Sequence, residues 1–334
     1  MHTTIRVAAV QAEPVWLDLE ASLEKFLDLV AQAADGGAQL VGFGETWLPG
    51  YPWWIWLDSP GANMGFVPRY AENSMTRDGA EMKRIQEAAA KHKIHVVFGF
   101  SEISGGTLYL SQAFVSDAGE LISVRRKLKP THVERSVFGE GDGSDIQVHD
   151  TDLGRLGALC CWEHLQPLTK YAMAGLNEEI HVASWPTFSI YRGQAIALGP
   201  EVNISASLNY AVETQSFVIA PTSVIGQAAH DTFCDTETKR QLLALGGGFA
   251  RIFGPEGSVL AEPLSEFEEG ILFANLDPAL RAIAKSAADP TGHYSRPDVY
   301  RLMINHKSTH AVVEAFTPPA TDADFEEVPD DSAS

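Results

Sequence analysis

Residues 5–12 read Ile-Arg-Val-Ala-Ala-Val-Gln-Ala, and from Leu19 the apolar side chains recur as Leu23, Phe26, Leu27, Val30 and Ala34. The first run is apolar and has the length of a buried strand. The second keeps helical spacing, with Asp18 placed to cap its start and Gly36-Gly37 to stop it. Residues 39–45 (QLVGFGE) return to a short apolar run, which enters a loop through Pro49, Gly50 and Pro52. A strand, a helix and a second strand in succession make a unit of the α/β class, since a buried strand needs a covering layer.

The alternation continues outward from this unit. A helix is expected from Asp78 to Lys91, with Met82, Ile85 and Ala89 on one face, and strands at 95–103, 107–116 and 121–126, parted by Gly105-Gly106 and Gly119. Beyond these come a strand at 155–161, a helix near 168–174, a strand at 180–185 and a helix near 204–214. A strand at 217–224, a hairpin-like segment at 248–261 and a strand at 271–276 complete the core. The back-to-back strands argue a mixed rather than purely parallel sheet.

Composition narrows the function. The 334 residues are 45% hydrophobic and 20% charged, as in a soluble globular chain, and 24 basic against 44 acidic residues leave a formal charge of −20. Such a chain repels phosphate backbones, so nucleic acid is not an expected partner. No run approaches the roughly 18 apolar residues of a membrane helix, and Val7–Val10 is too short for a signal-peptide core. Three cysteines, two of them adjacent, make no disulfide framework. The expectation is a cytoplasmic protein with no membrane partner. Residues 317–334 (TPPATDADFEEVPDDSAS) hold six acidic residues, no basic ones and three prolines, which predicts a disordered tail. One domain over 1–305 and a C-terminal extension over 306–334 follow.

Three strand ends carry reactive groups, where a rigid sheet can aim a side chain that a loop exposes. Glu45 ends the 39–45 run. Taken alone, a carboxylate there is usually a capping or surface residue. Arg125, Arg126 and Lys127 follow an apolar strand whose alternation can turn a cation inward. Cys160 and Cys161 end the 155–161 strand. Cys160 suits an inert buried thiol, whereas Cys161 stands at the turn, where backbone N–H groups can favour a thiolate. Cys161, Glu163 and His164 lack the second Cys/His pair of a metal site. A papain-like pair would need a distant histidine, and neither His230 nor His293 has a spacing that recommends it. Gly246-Gly247-Gly248 lacks the Lys-Ser/Thr of a phosphate loop.

FGETWLPGYP (43–52), RRKLKPTHVERSVFGEGDGSD (125–145), GALCCWEHLQPLTKYA (157–172), VASWP (182–186) and DPTGHYSRPDV (289–299) occur in that order. Together they resemble the nitrilase superfamily of carbon–nitrogen hydrolases over about residues 5–300. The match is closest to the nitrilase branch, and the segments around Glu45 and Cys161 look most like arylacetonitrilases. The resemblance implies a four-layer α-β-β-α sandwich. It implies a homo-oligomer in which paired subunits form an eight-layer block, often extended into a spiral. It also implies a catalytic set of Glu45, Lys127 and Cys161 with a second glutamate, Glu134, and no metal or organic cofactor.

The implied reaction is hydrolysis of a nitrile to its acid and ammonia through a thioimidate and a thioester, with Cys161 as nucleophile and Glu45 as general base. An amidase or carbamoyl hydrolase using the same groups is the alternative. A non-catalytic scaffold would have no need of these groups at three strand ends. Trp162, Phe138, Trp185 and Trp54 are the expected substrate-binding residues. They would favour an aryl or arylalkyl nitrile, although aromatics also fill cores and subunit contacts.

Overall fold

The protein is described by a computed structural model covering residue 1, residues 3–309 and residue 312, so the tail expected to be disordered at 317–334 lies outside the described residues. The strands among the described residues are β1 (Ile5–Gln11), β2 (Leu40–Gly42), β3 (His95–Ser104), β4 (Thr107–Val115), β5 (Leu121–Arg126), β6 (Phe138–Gly139), β7 (Val148–Thr151), β8 (Gly154–Cys160), β9 (Ile180–Ser184), β10 (Phe217–Ala220), β11 (Arg251–Phe253) and β12 (Gly270–Leu276). One sheet runs β12-β1-β2-β3-β4-β5, with β6 on β4. The other runs β11-β10-β9-β8-β7. Central pairs such as β1/β2 and β8/β9 are parallel and outer pairs such as β4/β5 and β7/β8 antiparallel, so both sheets are mixed.

Alternation of side chains along the strands builds the layers. Val7 and Ala9 of β1, Leu40 of β2 and Val97 of β3 face Ala158, Val182 and Ile219 of the second sheet in one apolar layer. The intervening Ala8, Val10, Val41, Val96 and Phe98 face helices Leu19–Asp35 and Ala80–His92. Leu159, Ala183 and Val218 turn to Met173 of helix Pro167–Gly175 and to Ala206, Tyr210 and Ala211 of helix Pro200–Thr214. The order is α-β-β-α.

Where element ends differ from expectation, the cause is local. Helix Leu19–Asp35 starts as read, with the Asp18 carboxylate accepting the Ala21 N–H at 3.0 Å. The strand expected to 45 stops at Gly42, because the chain then leaves one sheet for the other: the Phe43 N–H still bonds Val97, but the Glu45 N–H bonds the Trp185 carbonyl. The strand expected to 224 stops at Ala220, since Pro221 has no N–H to donate. The helix expected from 204 begins at Pro200, whose fixed φ suits a first helical position. Short helices over Trp54–Leu57, Val67–Glu72, Gln227–Phe233 and Glu237–Leu242 had too few turns for periodicity to show. Among the described residues no helix is long and apolar enough to cross a membrane.

Candidate active site

Glu45, Lys127 and Cys161 meet where β2, β5 and β8 end. Glu45 reaches its place because β3 carries Gly99 beneath it: a Cβ there would stand 2.5 Å from the Gly44 carbonyl and 2.8 Å from the Glu45 Cα. Alternation at the end of β5 turns Arg125 and Lys127 inward and sends Arg126 the other way, to Glu102 at 2.7 Å. The Lys127 ammonium donates to Glu45 Oε1 at 2.9 Å and Glu134 Oε2 at 2.8 Å, and all three groups are buried. Glu134 also accepts the Tyr51 hydroxyl at 2.7 Å, and that hydroxyl accepts the Trp56 indole N–H at 3.0 Å. The second carboxylate oxygen of Glu45 is buried and has no protein partner.

Cys161 opens a 3₁₀ turn, Cys161–Leu165, at φ +45°. The strand expected over 155–161 therefore ends at Cys160, and the turn rather than strand alternation parts the two thiols. Cys160 is sealed in the core; Cys161 is half-buried and lines a cavity. Thr46 (φ +44°) and His132 (φ +48°) adopt the same left-handed conformation beside Glu45 and Glu134. Non-glycine residues hold such angles only where their surroundings impose them, and these three cluster at one site.

The charges are mutually dependent. Burial would strip the Lys127 proton, but Glu134 and Glu45 outweigh it and hold its pKa well above the ordinary value. Burial raises Glu45 to about 8 against the pull of Lys127, and Glu134 adds to the rise. Burial also pushes the Cys161 thiol well up, reinforced by Glu45 and opposed by Lys127 and by a hydrogen bond from the Trp162 N–H. A protonated thiol and an unusually basic carboxyl group thus share one buried site with a permanent cation, the combination a proton transfer from sulfur to oxygen needs.

The cavity opens to solvent on one side, and Tyr51, Trp53, Trp56, Trp162, Trp185 and Phe188 give it aromatic walls. Of the expected substrate-binding residues, Trp162 and Trp185 line it. Trp54 and Phe138 do not, and here the expectation is corrected. Trp54 stacks on Phe66 at 5.5 Å and Phe138 meets Tyr70 edge-on at 6.0 Å, so both rings are used up in the apolar cluster behind the cavity. The chain turns into helix Trp54–Leu57 directly after Trp53, which sends Trp53 and Trp56 to the cavity and Trp54 away.

No motif or spacing in the sequence points to the pair that ties the site together. Arg125 grips Glu163 through two bonds, at 2.7 and 2.9 Å, both groups buried. Glu163 also accepts the Cys160 N–H at 2.8 Å and the Leu128 N–H at 3.0 Å, which joins the cysteine turn to the lysine segment. Nor does any spacing single out Tyr51. Glu134, expected from the resemblance, also carries a local signal: Thr131-His132-Val133-Glu134 is a capping box, and the structure closes it. Glu163 faces Arg125 and His164 the Cys161 carbonyl, so neither joins Cys161 as a metal ligand. His95, Asp117 and Asp152 are the group placed for a metal ion among the described residues, and none of them lines the cavity.

Residues 6–285 match the family described as carbon–nitrogen hydrolase. The chain is 55% identical over 314 residues to a nitrilase of Pseudomonas syringae pv. syringae, covering 94% of each chain. It is 51% identical to an aliphatic nitrilase of Rhodococcus rhodochrous (94% of this chain, 86% of that one) and 48% identical to an arylacetone-specific nitrilase of Alcaligenes faecalis (90% and 85%). The fold matches a carbon–nitrogen hydrolase structure from Helicobacter pylori with a TM-score of 0.70 at 19% identity, over 90% of this chain and 97% of that one.

Proposed function

The chain belongs to the carbon–nitrogen hydrolase family, and we propose that Cys161, Glu45, Lys127 and Glu134 perform its reaction, the hydrolysis of an organic nitrile to a carboxylic acid and ammonia. The observation that carries the residue roles is the Lys127 ammonium held between Glu45 and Glu134, behind an aromatic cavity that Glu134 and Cys161 line.

Glu45 takes the thiol proton as sulfur attacks the nitrile carbon, and returns it to nitrogen to give a thioimidate. Water, activated by the same carboxylate, adds to the thioimidate carbon. Lys127 and the Trp162 N–H stabilise the charge of that tetrahedral species, and ammonia leaves with the protons it has collected. A second water cleaves the thioester, which frees the acid and restores the thiol. Glu134, fixed by Tyr51 and the Thr131 N–H, orients Lys127.

Aromatic walls favour an aryl or arylalkyl nitrile by stacking and burial. Ammonia release from phenylacetonitrile, benzonitrile, an aliphatic dinitrile and the matching amides tests the reading. Phenylacetonitrile is expected to lead. Amide turnover far above nitrile turnover would replace the reading with the amidase alternative.

A homo-oligomer fits the exposed apolar patch of Leu168, Tyr294, Val299 and Tyr300. Light scattering on the purified chain should find more than one subunit.

A further inference from the structure

A line of buried polar groups leads away from the backbone of Cys161. His164 Nδ1 lies 2.6 Å from the Cys161 carbonyl oxygen, and His164 Nε2 lies 2.9 Å from His181 Nε2. His181 Nδ1 lies 2.7 Å from Glu178 Oε1, and the Tyr210 hydroxyl donates to Glu178 Oε2 at 2.6 Å. All four side chains are fully buried. His164 lies against Trp185 (centroids 5.1 Å, 26° between planes) and His181 against Tyr210 (3.9 Å, 29°), so neither ring is free to turn. Gly157 of β8 makes room for the carboxyl: a Cβ there would stand 2.0 Å from Glu178 Oε1.

The partners fix where each proton sits. A carbonyl only accepts, so His164 Nδ1 carries hydrogen. Burial holds His164 near 3 and His181 well below the usual imidazole range, so both rings are neutral. His164 Nε2 is then a bare acceptor, His181 Nε2 carries hydrogen, and His181 Nδ1 is bare. The Glu178 oxygen facing it must therefore be a donor, a carboxylic acid. Burial supports this by raising Glu178 to about 8, against the Tyr210 hydroxyl and the nearby Arg281 cation, which both pull it down.

The Cys161 carbonyl and the Trp162 N–H belong to one planar peptide and point to opposite sides of it. Holding the carbonyl on the His164 side aims the N–H at the sulfur and at the place where negative charge gathers during the reaction. We propose that Glu178, His181 and His164 form a neutral, one-directional hydrogen-bond chain that locks this peptide, which makes them positioning residues for the nucleophile and for its N–H donor. The proposal rests on the reading of Cys161 as nucleophile. It explains how a non-glycine residue keeps φ +45° at the end of β8, and why a carboxyl with no cation on its side-chain oxygens is buried 0% exposed in the second sheet.

The direct test is the ¹⁵N solid-state spectrum of the full-length chain labelled at histidine, with His164→Asn to assign the signals. His164 should appear as the neutral Nδ1–H tautomer and His181 as the neutral Nε2–H tautomer. An imidazolium, or either ring in the opposite tautomer, would overturn the chain. This readout does not depend on the substrate, whereas a wild-type protein releasing no ammonia from nitriles would sink the functional reading instead. In turnover, His164→Phe keeps the ring contact and loses the donor, and should lower kcat about 10²-fold or more with KM within about threefold. His164→Asn restores an N–H near Nδ1 and should recover at least about tenfold of that loss. Glu178→Leu should lower kcat too, and Glu178→Gln, whose amide both donates and accepts, should recover most of it. Folded His164→Phe with full kcat, or Gln no better than Leu at 178, would refute the proposal. If a donor-less variant fails to fold, the wild-type tautomers decide.

Discussion

Glu163→Gln tests whether a buried ion pair outside the reacting groups holds the site in shape. The substitution keeps the size of the side chain and removes its charge. It leaves the Arg125 guanidinium, 1% exposed, facing an amide, while the Cys160 and Leu128 N–H groups compete for one remaining oxygen. Arg125 keeps its charge, because a guanidinium stays protonated in a protein and its Nε–H still donates to the Asp145 carbonyl at 3.0 Å. Removing one partner of a buried pair costs about 3–5 kcal/mol. At about 2–4 °C per kcal/mol for 150–250 residues, and less for larger chains, the fall in Tm should be roughly 5–15 °C.

Replacing both partners, Arg125→Met with Glu163→Leu, removes the stranded charge and should regain most of that stability. Activity should separate from stability in the double variant. The cysteine turn and the lysine segment no longer share an acceptor, so kcat should stay low. Calorimetry at fixed protein concentration and scan rate, with ammonia release on the same samples, measures both. A Tm within about 2 °C of wild type for Glu163→Gln, or full kcat in the double variant, would refute the reasoning.

Cys161→Ala should abolish ammonia release in a folded protein and lose any substrate adduct in intact mass spectra, while Cys160→Ala should keep turnover and lose about 1 kcal/mol of stability. Trp54→Ala should cost about 3–5 kcal/mol with KM nearly unchanged, since its ring packs on Phe66. Trp162→Ala should instead change KM across a nitrile series, and the opposite pattern would put the corrected residue back in the cavity. The base Glu45 works ionised, so kcat/KM should fall as pH is lowered through about 8, and a flat profile from pH 6 to 9 would remove it from that role. Glu178 is also raised to about 8 when folded, so between 4.5 and about 8 the folded protein holds a proton that the unfolded chain has lost. Stability therefore drops with rising pH in that window. Glu178→Gln, which has nothing to titrate, should gain in Tm on the wild type from pH 5 to 8, and a pH-independent difference would contradict a protonated Glu178.

Local pattern sufficed for much of this. The apolar runs at 5–12, 95–103 and 121–126 and the spacing from Leu19 to Ala34 mark strands and a helix, because burial of one face imposes a period that can be counted along the chain. The order of motifs around Glu45, Lys127 and Cys161 was enough to name the family and the expected reactive groups. It could not say which aromatics line the cavity. Trp53, Trp54 and Trp56 are equivalent in composition and part company only in the short helix that follows Trp53.

What the tertiary structure decided is the pairing of groups far apart in the chain. Arg125 and Glu163 are 38 residues apart, Tyr51 and Glu134 83 apart, and Glu178 reaches the Cys161 peptide only through His181 and His164. No periodicity records such contacts. A buried charge is tolerated only where a partner arrives from another element, and that arrival depends on two sheets packing face to face, which brings the end of β2 against the Trp185 carbonyl beyond β9. The sequence holds the reactive groups and the periods of the elements that carry them. Their pKa values, the turn that exposes Cys161, and the neutral chain behind it exist only once four layers have closed around them.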